Sequence, residues 1–307
     1  MYIGIDLGGT KIAAARSSAE GRILQRENLK TDKSADPQEV VRQLVFLIRK
    51  LAPDAPELKI GIGVPGQVHQ GLVINAPNIP QLNGLDLLKR LNELCPAQYV
   101  LANDANAAAL AEHKYGAGKN YQNFIYLTVS TGIGGGIIVD GKLYTGANGT
   151  AGEFGHTIIL PDGPPCGCGN KGCWETLGSG TALAKMALAK IAGGVQTALT
   201  ALSGGVDEKI NAELIVEAAK AGDAAAKELL DVNGYFNALG IANLVNTFDP
   251  EAVIVGGGVS FNGEYFFQPL TRALKLFKLL NPSRTIAIVP AGCKQDAGLL
   301  GALSLVL

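Results

Sequence analysis

Short apolar runs stopped by glycine open the chain. Residues 3–6 read as a strand that halts at Gly8-Gly9-Thr10, residues 11–16 as its return, and 22–25 as a third strand reached through a turn at Gly21. Strands joined by glycine turns make a meander. The period then changes: Val40, Leu44, Leu47 and Leu51 recur at helical spacing, which predicts a helix over 39–51. Residues 58–64 form an apolar strand ending at Pro65-Gly66, residues 99–102 another, and 103–115 an alanine-rich helix. Strand alternating with helix after a meander predicts a mixed sheet flanked by helices, an α/β fold.

Residues 124–130 repeat the opening. Tyr126-Leu127-Thr128-Val129-Ser130-Thr131-Gly132-Ile133-Gly134 again runs from strand to glycine turn, then to a returning strand over 135–140 and a third strand past Asp140-Gly141. One supersecondary unit used twice predicts two related lobes that bring two glycine hairpins to a shared cleft. Beyond it, 213–220 read as a helix ended by Gly222, with Asp223 as N-cap of a helix reaching about Phe248 and stopping at Asp249-Pro250. Residues 252–255 read as a strand entering Gly256-Gly257-Gly258, 285–289 as a late strand and 296–305 as a closing helix. The division expected is a smaller lobe over 1–117 plus 292–307 and a larger one over 118–291.

Composition removes several function classes. The 307 residues carry 26 basic and 27 acidic side chains, a net charge of −1, which lacks the basic footprint of a backbone-tracking nucleic-acid binder. The apolar runs are too short to cross a bilayer, and the first residues show no basic stretch followed by an apolar one, so a cytoplasmic protein is expected. A chain this long forms a large core without disulfides. Of its five cysteines, Cys95 and Cys293 stand alone, whereas Cys166, Cys168 and Cys173 cluster. Clustered thiols without a leader read as a metal or redox site before they read as disulfides. His69 and His113 have no supporting neighbours and read as surface residues.

Three glycine turns follow apolar strands: Asp6-Leu7-Gly8-Gly9-Thr10-Lys11, Ser130-Thr131-Gly132-Ile133-Gly134-Gly135-Gly136 and Val255-Gly256-Gly257-Gly258-Val259. Glycine lets backbone N–H groups converge on phosphate oxygens. Thr10 and Lys11 add a hydroxyl and a charge, and Asp6 at a strand end can hold a magnesium ion through water. Each turn alone is equally well a tight turn with no ligand. A P-loop is excluded, because Gly118-Lys119 is followed by Asn120. A dinucleotide fingerprint is excluded too, because the first turn gives way to a strand and not a helix.

In order and spacing, the three turns resemble the two phosphate motifs and the adenosine motif of the sugar-kinase, actin and heat-shock-ATPase superfamily. The resemblance implies two similar lobes of the actin-like (ribonuclease H-like) type with an interdomain cleft. It also implies nucleotide contacts from Asp6, Gly8, Gly9, Thr10, Lys11, Thr131, Gly132, Gly134, Gly256, Gly257 and Gly258.

The cysteines sharpen this. Gly152-Glu153-Phe154-Gly155-His156 precedes Cys166-Gly167-Cys168-Gly169-Asn170-Lys171-Gly172-Cys173-Trp174-Glu175. One histidine and three thiols, His156, Cys166, Cys168 and Cys173, make a set that closes a tetrahedral structural zinc site. No C-x-x-C is present to favour a redox role. The segment resembles the ROK family of bacterial sugar kinases and related repressors, departing at Phe154 and Trp174, where leucine is frequent; packing changes alone are expected there. The resemblance implies that Glu153, His156 and Glu175 face a sugar. Carboxylates suit a ring of hydroxyls, and His156 can bind metal through one ring nitrogen and a hydroxyl through the other.

Asn103-Asp104 precedes the alanine-rich helix, where an acid is an ordinary N-cap. The resemblance instead implies that Asp104 is the base that takes the sugar hydroxyl's proton, with Asn103, and more weakly Asn78 and Gly66, as sugar contacts. A carboxylate within hydrogen-bond reach both aims a hydroxyl and accepts its proton. The activity implied is ATP-dependent phosphorylation of a hexose, glucose to glucose 6-phosphate first, with N-acetylglucosamine, N-acetylmannosamine or fructose as alternatives. ATP, magnesium and structural zinc are the expected cofactors, and a homodimer or homotetramer the expected assembly. A sugar-responsive repressor is disfavoured because the first phosphate strand begins at residue 3, leaving no room for a helix-turn-helix. A non-catalytic zinc-stapled sugar binder is disfavoured by the presence of both Lys11 and Asp104.

Overall fold

The computed structural model of the chain describes residues 1–53, 57–281 and 285–307. They separate into two compact units: one of Met1–Tyr126, Gly136–Gly152 and Ala291–Leu307, the other of Leu127–Gly135 and Glu153–Pro290.

In the first unit, β1 (Tyr2–Leu7), β2 (Lys11–Ser17) and β3 (Ile23–Lys30) form an antiparallel meander, α1 (Pro37–Leu51) follows, and β4 (Lys59–Val64) pairs in parallel with β1. A hairpin of β5 (Gln67–His69) and β6 (Leu72–Asn75) leads through α2 (Leu87–Leu94) to β7 (Gln98–Asn103), parallel to β4, and to α3 (Asp104–Lys114). The sheet order is β3-β2-β1-β4-β7. Ile3, Ile5 and Leu7 of β1 are buried on one face of the sheet and Gly4 on the other, as a central strand covered on both faces requires.

One face takes α1, whose Val40, Leu44, Leu47 and Leu51 are all buried as their spacing predicts. On the sheet, Gly4 and Gly61 are register partners. A side chain at Gly61 would lie 1.8 Å from the Ala302 carbonyl, and one at Gly4 would meet Leu303 at 2.6 Å. The paired glycines therefore seat the backbone of the C-terminal helix directly on β1 and β4.

β3 extends to Lys30, past the expected end, because it alternates exposed and half-buried positions as a charged edge strand. The β5–β6 hairpin and α2 were not foreseen; their runs are short, and register is supplied by distant backbone partners such as the Val73 N–H on the Leu85 carbonyl. His69 and His113 are half-buried rather than fully exposed, and the His113 ring packs tilted against Phe124 with centroids 5.9 Å apart.

The second sheet follows the same plan. β8 (Phe124–Val129), β9 (Ile133–Val139) and β10 (Lys142–Tyr144) open it, and β9 turns into β10 at Asp140 (φ 49°) and Gly141 (φ 72°), the left-handed pair a two-residue hairpin favours. Because β9 begins at Ile133, Gly134 lies inside the strand and not in the turn. Two of the four boundaries between the units fall within β8 and β9.

The second unit then holds α4 (Glu175–Gly178), α5 (Gly180–Ala192), α6 (Leu199–Ser203), α7 (Ala212–Lys220), α8 (Ala224–Phe248), β11 (Ala252–Gly256), α9 (Glu264–Leu274) and β12 (Ala287–Pro290). Asp223 caps α8 by accepting the Ala226 N–H, and Asp249 ends it in the left-handed region before Pro250. The order β10-β9-β8-β11-β12 repeats the first sheet strand for strand, the duplication expected from the two glycine hairpins. The C-terminal helix α10 (Ala297–Ser304) returns to the first unit. Among the described residues no helix is long and apolar enough to cross a membrane.

Candidate active site

In the first unit, the C-terminal ends of the parallel strands β1, β4 and β7 carry Asp6, Val64-Pro65-Gly66 and Asn103-Asp104, with Asp6 opposite Gly63 and Val64 opposite Asn103. Strand ends of this kind are where α/β sheets place ligands. The Asp6 carboxylate lies beside Gly298, where an added Cβ would sit 2.4 Å from it. Burial pushes the Asp6 carboxyl above the ordinary carboxylate range, against the opposing pull of Lys11. A carboxyl raised on folding costs stability at every pH above its unfolded value, and the cost is relieved as the pH falls into the acid range. Asp6→Asn is therefore expected to raise the melting midpoint of the ligand-free protein at neutral pH while lowering turnover; scanning calorimetry and an activity assay check the pair.

Gly8 donates to the Lys11 carbonyl at 3.0 Å, and Thr31 Oγ1 donates to the Gly8 carbonyl at 2.6 Å, so the first glycine turn is braced from the residue that follows β3. Gly9 faces the Asn78 turn, where a Cβ would come within 2.8 Å of Asn78. Neither Gly8 nor Gly9 has positive φ, so close approach and not backbone conformation explains them. Thr10, Lys11 and Asn78 are exposed. Gly66 has φ 153°, and a Cβ there would lie 2.1 Å from the Asn75 carbonyl.

Asn103, not Asp104, is the N-cap of α3: its Oδ1 accepts the Ala105 and Asn106 N–H groups, and its Nδ2 donates to the Gly66 carbonyl at 3.0 Å. Asp104 therefore opens the helix half-buried, its Oδ1 taking the Ala105 N–H at 2.8 Å. The capping alternative for Asp104 belongs to its neighbour.

The second unit contains a cleft of about 310 Å³ lined by Ser130, Thr131, Gly180, Thr181, Asn211 and Gly258, among others. That volume lies at the small end of ligand pockets. Two helix starts open into it, Gly180 of α5 and Ala212 of α7. The Gly180 N–H holds the Ser130 carbonyl and the Val259 N–H holds the Val129 carbonyl, so the second and third glycine turns are tied to one another. Gly257 has φ 89° and a Cβ would meet the Val129 carbonyl at 2.4 Å, two reasons for glycine there. Thr131 and Gly258 line the cleft; Gly132, Gly134, Gly256 and Gly257 do not. The helix over 213–220 was expected, whereas α5 left no sequence signal beyond its N-cap, Ser179.

The four expected metal ligands come together. One ligand atom from each of His156, Cys166, Cys168 and Cys173 lies within 4.8 Å of the others. Cys166 Sγ is 3.6 Å from His156 Nδ1, and Cys168 Sγ is 3.7 Å from Cys173 Sγ. A zinc tetrahedron with arms of about 2.3 Å has corners roughly 3.8 Å apart, so the donor set fits that ion. Without metal, an Asn170 backbone hydrogen bond lowers the Cys168 thiol to about 7, while burial raises Cys173 to about 12. Zinc binding must therefore release protons and weaken as the pH falls. Backbone bonds shape the loop: Cys166 N–H to the Asn170 carbonyl, Gly172 N–H to the Pro164 carbonyl and Trp174 N–H to the Thr157 carbonyl. His156 Nε2 lies on the side of Glu153, 3.9 Å from its carboxylate.

Trp174 links this loop to the interior. It is fully buried, and its Nε1 donates to Asn237 Oδ1 at 3.1 Å. Asn233 and Asn237 both donate to the Gly178 carbonyl, so a buried amide pair fixes α4. Gly240, in the middle of α8, makes room for the indole: a Cβ would come within 2.3 Å of the ring. Phe154, the other departure, packs edge-on against Phe248 with centroids 6.1 Å apart. Gly240→Ala is expected to destabilise the protein by about 1–3 kcal/mol through overpacking, despite the better helix propensity of alanine. Urea unfolding measures it, and a neutral or stabilising result would show that the indole relocates freely.

Residues 2–307 match the ROK family profile. Proteins named glucokinase are 34% identical in Thermotoga maritima (99% of this chain, 96% of the relative) and 36% identical in Streptomyces coelicolor (99% and 97%). An N-acetylmannosamine kinase of Citrobacter koseri is 34% identical (98% and 96%). Among solved structures, a ROK family glucokinase from Streptomyces griseus in complex with glucose and AMPPNP superposes with a TM-score of 0.85 at 36% identity, covering 99% of this chain and 98% of the other. A sheet plan used twice, a Cys₃His cluster and a profile matched from end to end agree: the chain belongs to the ROK family.

Proposed function

We propose that this chain transfers the γ-phosphoryl group of ATP to a hexose hydroxyl, with glucose as the preferred acceptor. The observation that carries the reading is the superposition, over nearly the whole chain, on a glucokinase solved with glucose and AMPPNP. Asp104 takes the hydroxyl proton; Glu153, His156, Glu175, Asn103, Asn78 and Gly66 hold the sugar. Asn103 has little to spare, since its cap and its bond to Gly66 leave one Nδ2 hydrogen. Asp6, Gly8, Gly9, Thr10, Lys11, Thr131, Gly132, Gly134 and Gly256, Gly257 and Gly258 serve the nucleotide, either by direct contact or by shaping the turns. A magnesium ion at Asp6, held through water, would neutralise phosphate charge. Zinc at His156, Cys166, Cys168 and Cys173 would hold the loop that presents Glu153 and Glu175. The assembly proposed is a homodimer or homotetramer.

A coupled assay of ADP release over glucose, N-acetylmannosamine, N-acetylglucosamine and fructose tests this. Glucose is expected to give the highest kcat/KM. A preference for N-acetylmannosamine, the substrate class of the Citrobacter relative's name, would replace glucose and keep the kinase; no ADP release with any sugar would overturn both.

A further inference from the structure

The second glycine turn holds an arrangement that a phosphate cradle does not require. Glu175 Oε2 accepts the Ile133 N–H at 2.9 Å, forty-two residues away in sequence. It occupies the space a side chain at Gly132 would fill: a Cβ there would sit 2.2 Å from Oε2 and 3.1 Å from the carboxylate carbon. No other atom lies as close to that position, and Gly132 has no positive φ. Gly132 is also absent from the cleft lining. Neither backbone conformation nor the cleft explains this glycine; the carboxylate does.

On the strength of the sugar-kinase reading, we propose that Gly132 is a positioning residue for the sugar. By omitting a side chain it lets Glu175 anchor one carboxylate oxygen on the phosphate turn, and Glu175 thereby couples sugar binding to nucleotide binding. The anchored oxygen leaves Oε1 for a sugar hydroxyl. The Ile133 N–H, spent on Glu175, is withdrawn from the phosphates, so the turn's position depends on the carboxylate. A hydroxyl bound to Oε1 fixes the carboxylate and with it the turn, and linkage makes the effect reciprocal: each ligand tightens the other by the same factor. The connection also runs into the metal loop, because Cys173 and Trp174 immediately precede Glu175.

The test measures glucose and AMPPNP binding, each alone and together, by titration calorimetry. Wild type is expected to bind AMPPNP more tightly with glucose present. Gly132→Ala is expected to raise the glucose Kd roughly tenfold or more, the loss of a charge-assisted hydrogen bond. AMPPNP alone should weaken by less than glucose does, since Gly132 also shapes the phosphate turn, and the mutual tightening should vanish, a split that general misfolding does not produce. Zinc content and melting midpoint check the fold. In a Glu175→Ala background, Gly132→Ala should weaken glucose no further, since no carboxylate remains to displace. The inference is overturned if Gly132→Ala weakens AMPPNP and spares glucose, or if the two substitutions add in full. A wild type that binds no hexose would sink the kinase reading itself, and the coupling with it.

Discussion

Asp104→Asn is expected to lower turnover by roughly a hundredfold or more while glucose affinity stays within a few-fold of wild type. Asparagine keeps the shape of the side chain and its place in the first turn of α3, but its amide does not accept the proton that leaves the hydroxyl. The helix start favours a negative group at this position, which suits a carboxylate waiting for a proton. The cap geometry makes the test clean. Because Asn103 caps the helix, Asp104→Asn should change stability little, whereas Asn103→Ala should cost about 1 kcal/mol and release the Gly66 carbonyl. Activity and stability are thus separated onto adjacent residues. Turnover of Asp104→Asn within tenfold of wild type, with normal ADP stoichiometry, would remove Asp104 from the role of base.

Cys173→Ser is expected to have the next largest effect. Metal analysis of the wild type should find one zinc per chain, and the variant should lose it. Cys173 is the most deeply buried member of the cluster and the one joined through Trp174 to Glu175, so loss of metal should loosen that carboxylate as well as the loop. Structural zinc contributes on the order of 10 kcal/mol of apparent binding free energy in small domains. Here the α4 network of Asn233, Asn237 and Gly178 stands without metal, so a lower melting midpoint and a glucose Kd raised by roughly tenfold or more are expected, with the rest of the second unit still folded. A chelator should reproduce the effect on wild type, zinc should reverse it, and zinc affinity should fall with pH as the thiols protonate. A variant that binds glucose like wild type would show that the cluster does not scaffold the sugar site.

The periodic parts of the fold were legible because their signals are local. The helix over Pro37–Leu51 follows from four leucine and valine positions, and the hairpin at Asp140-Gly141 from one dipeptide. The repeated strand–glycine–strand pattern anticipated two sheets of one plan. The missed elements, α2, α4, α5, α6, α9 and the β5–β6 hairpin, carry weaker local signals: Asp86 and Ser179 cap α2 and α5, but α4 and α6 are four and five residues long and Pro269 interrupts the pattern of α9. The cap of α3 was ambiguous for a related reason. An Asn-Asp pair before a helix does not say which side chain turns back to cap, and the choice fell to Asn103 because its amide also reaches Gly66.

The sequence alone determined the donor set for a metal, three glycine turns, a carboxylate at the head of a helix and the duplicated architecture, since each is written in residues close together along the chain. Tertiary structure decided what each glycine is for. Gly4 and Gly61 admit a helix, Gly240 an indole, Gly257 a left-handed turn and Gly132 a carboxylate. A missing side chain leaves no trace of what fills its place; only the packing of distant segments against the bare backbone supplies that.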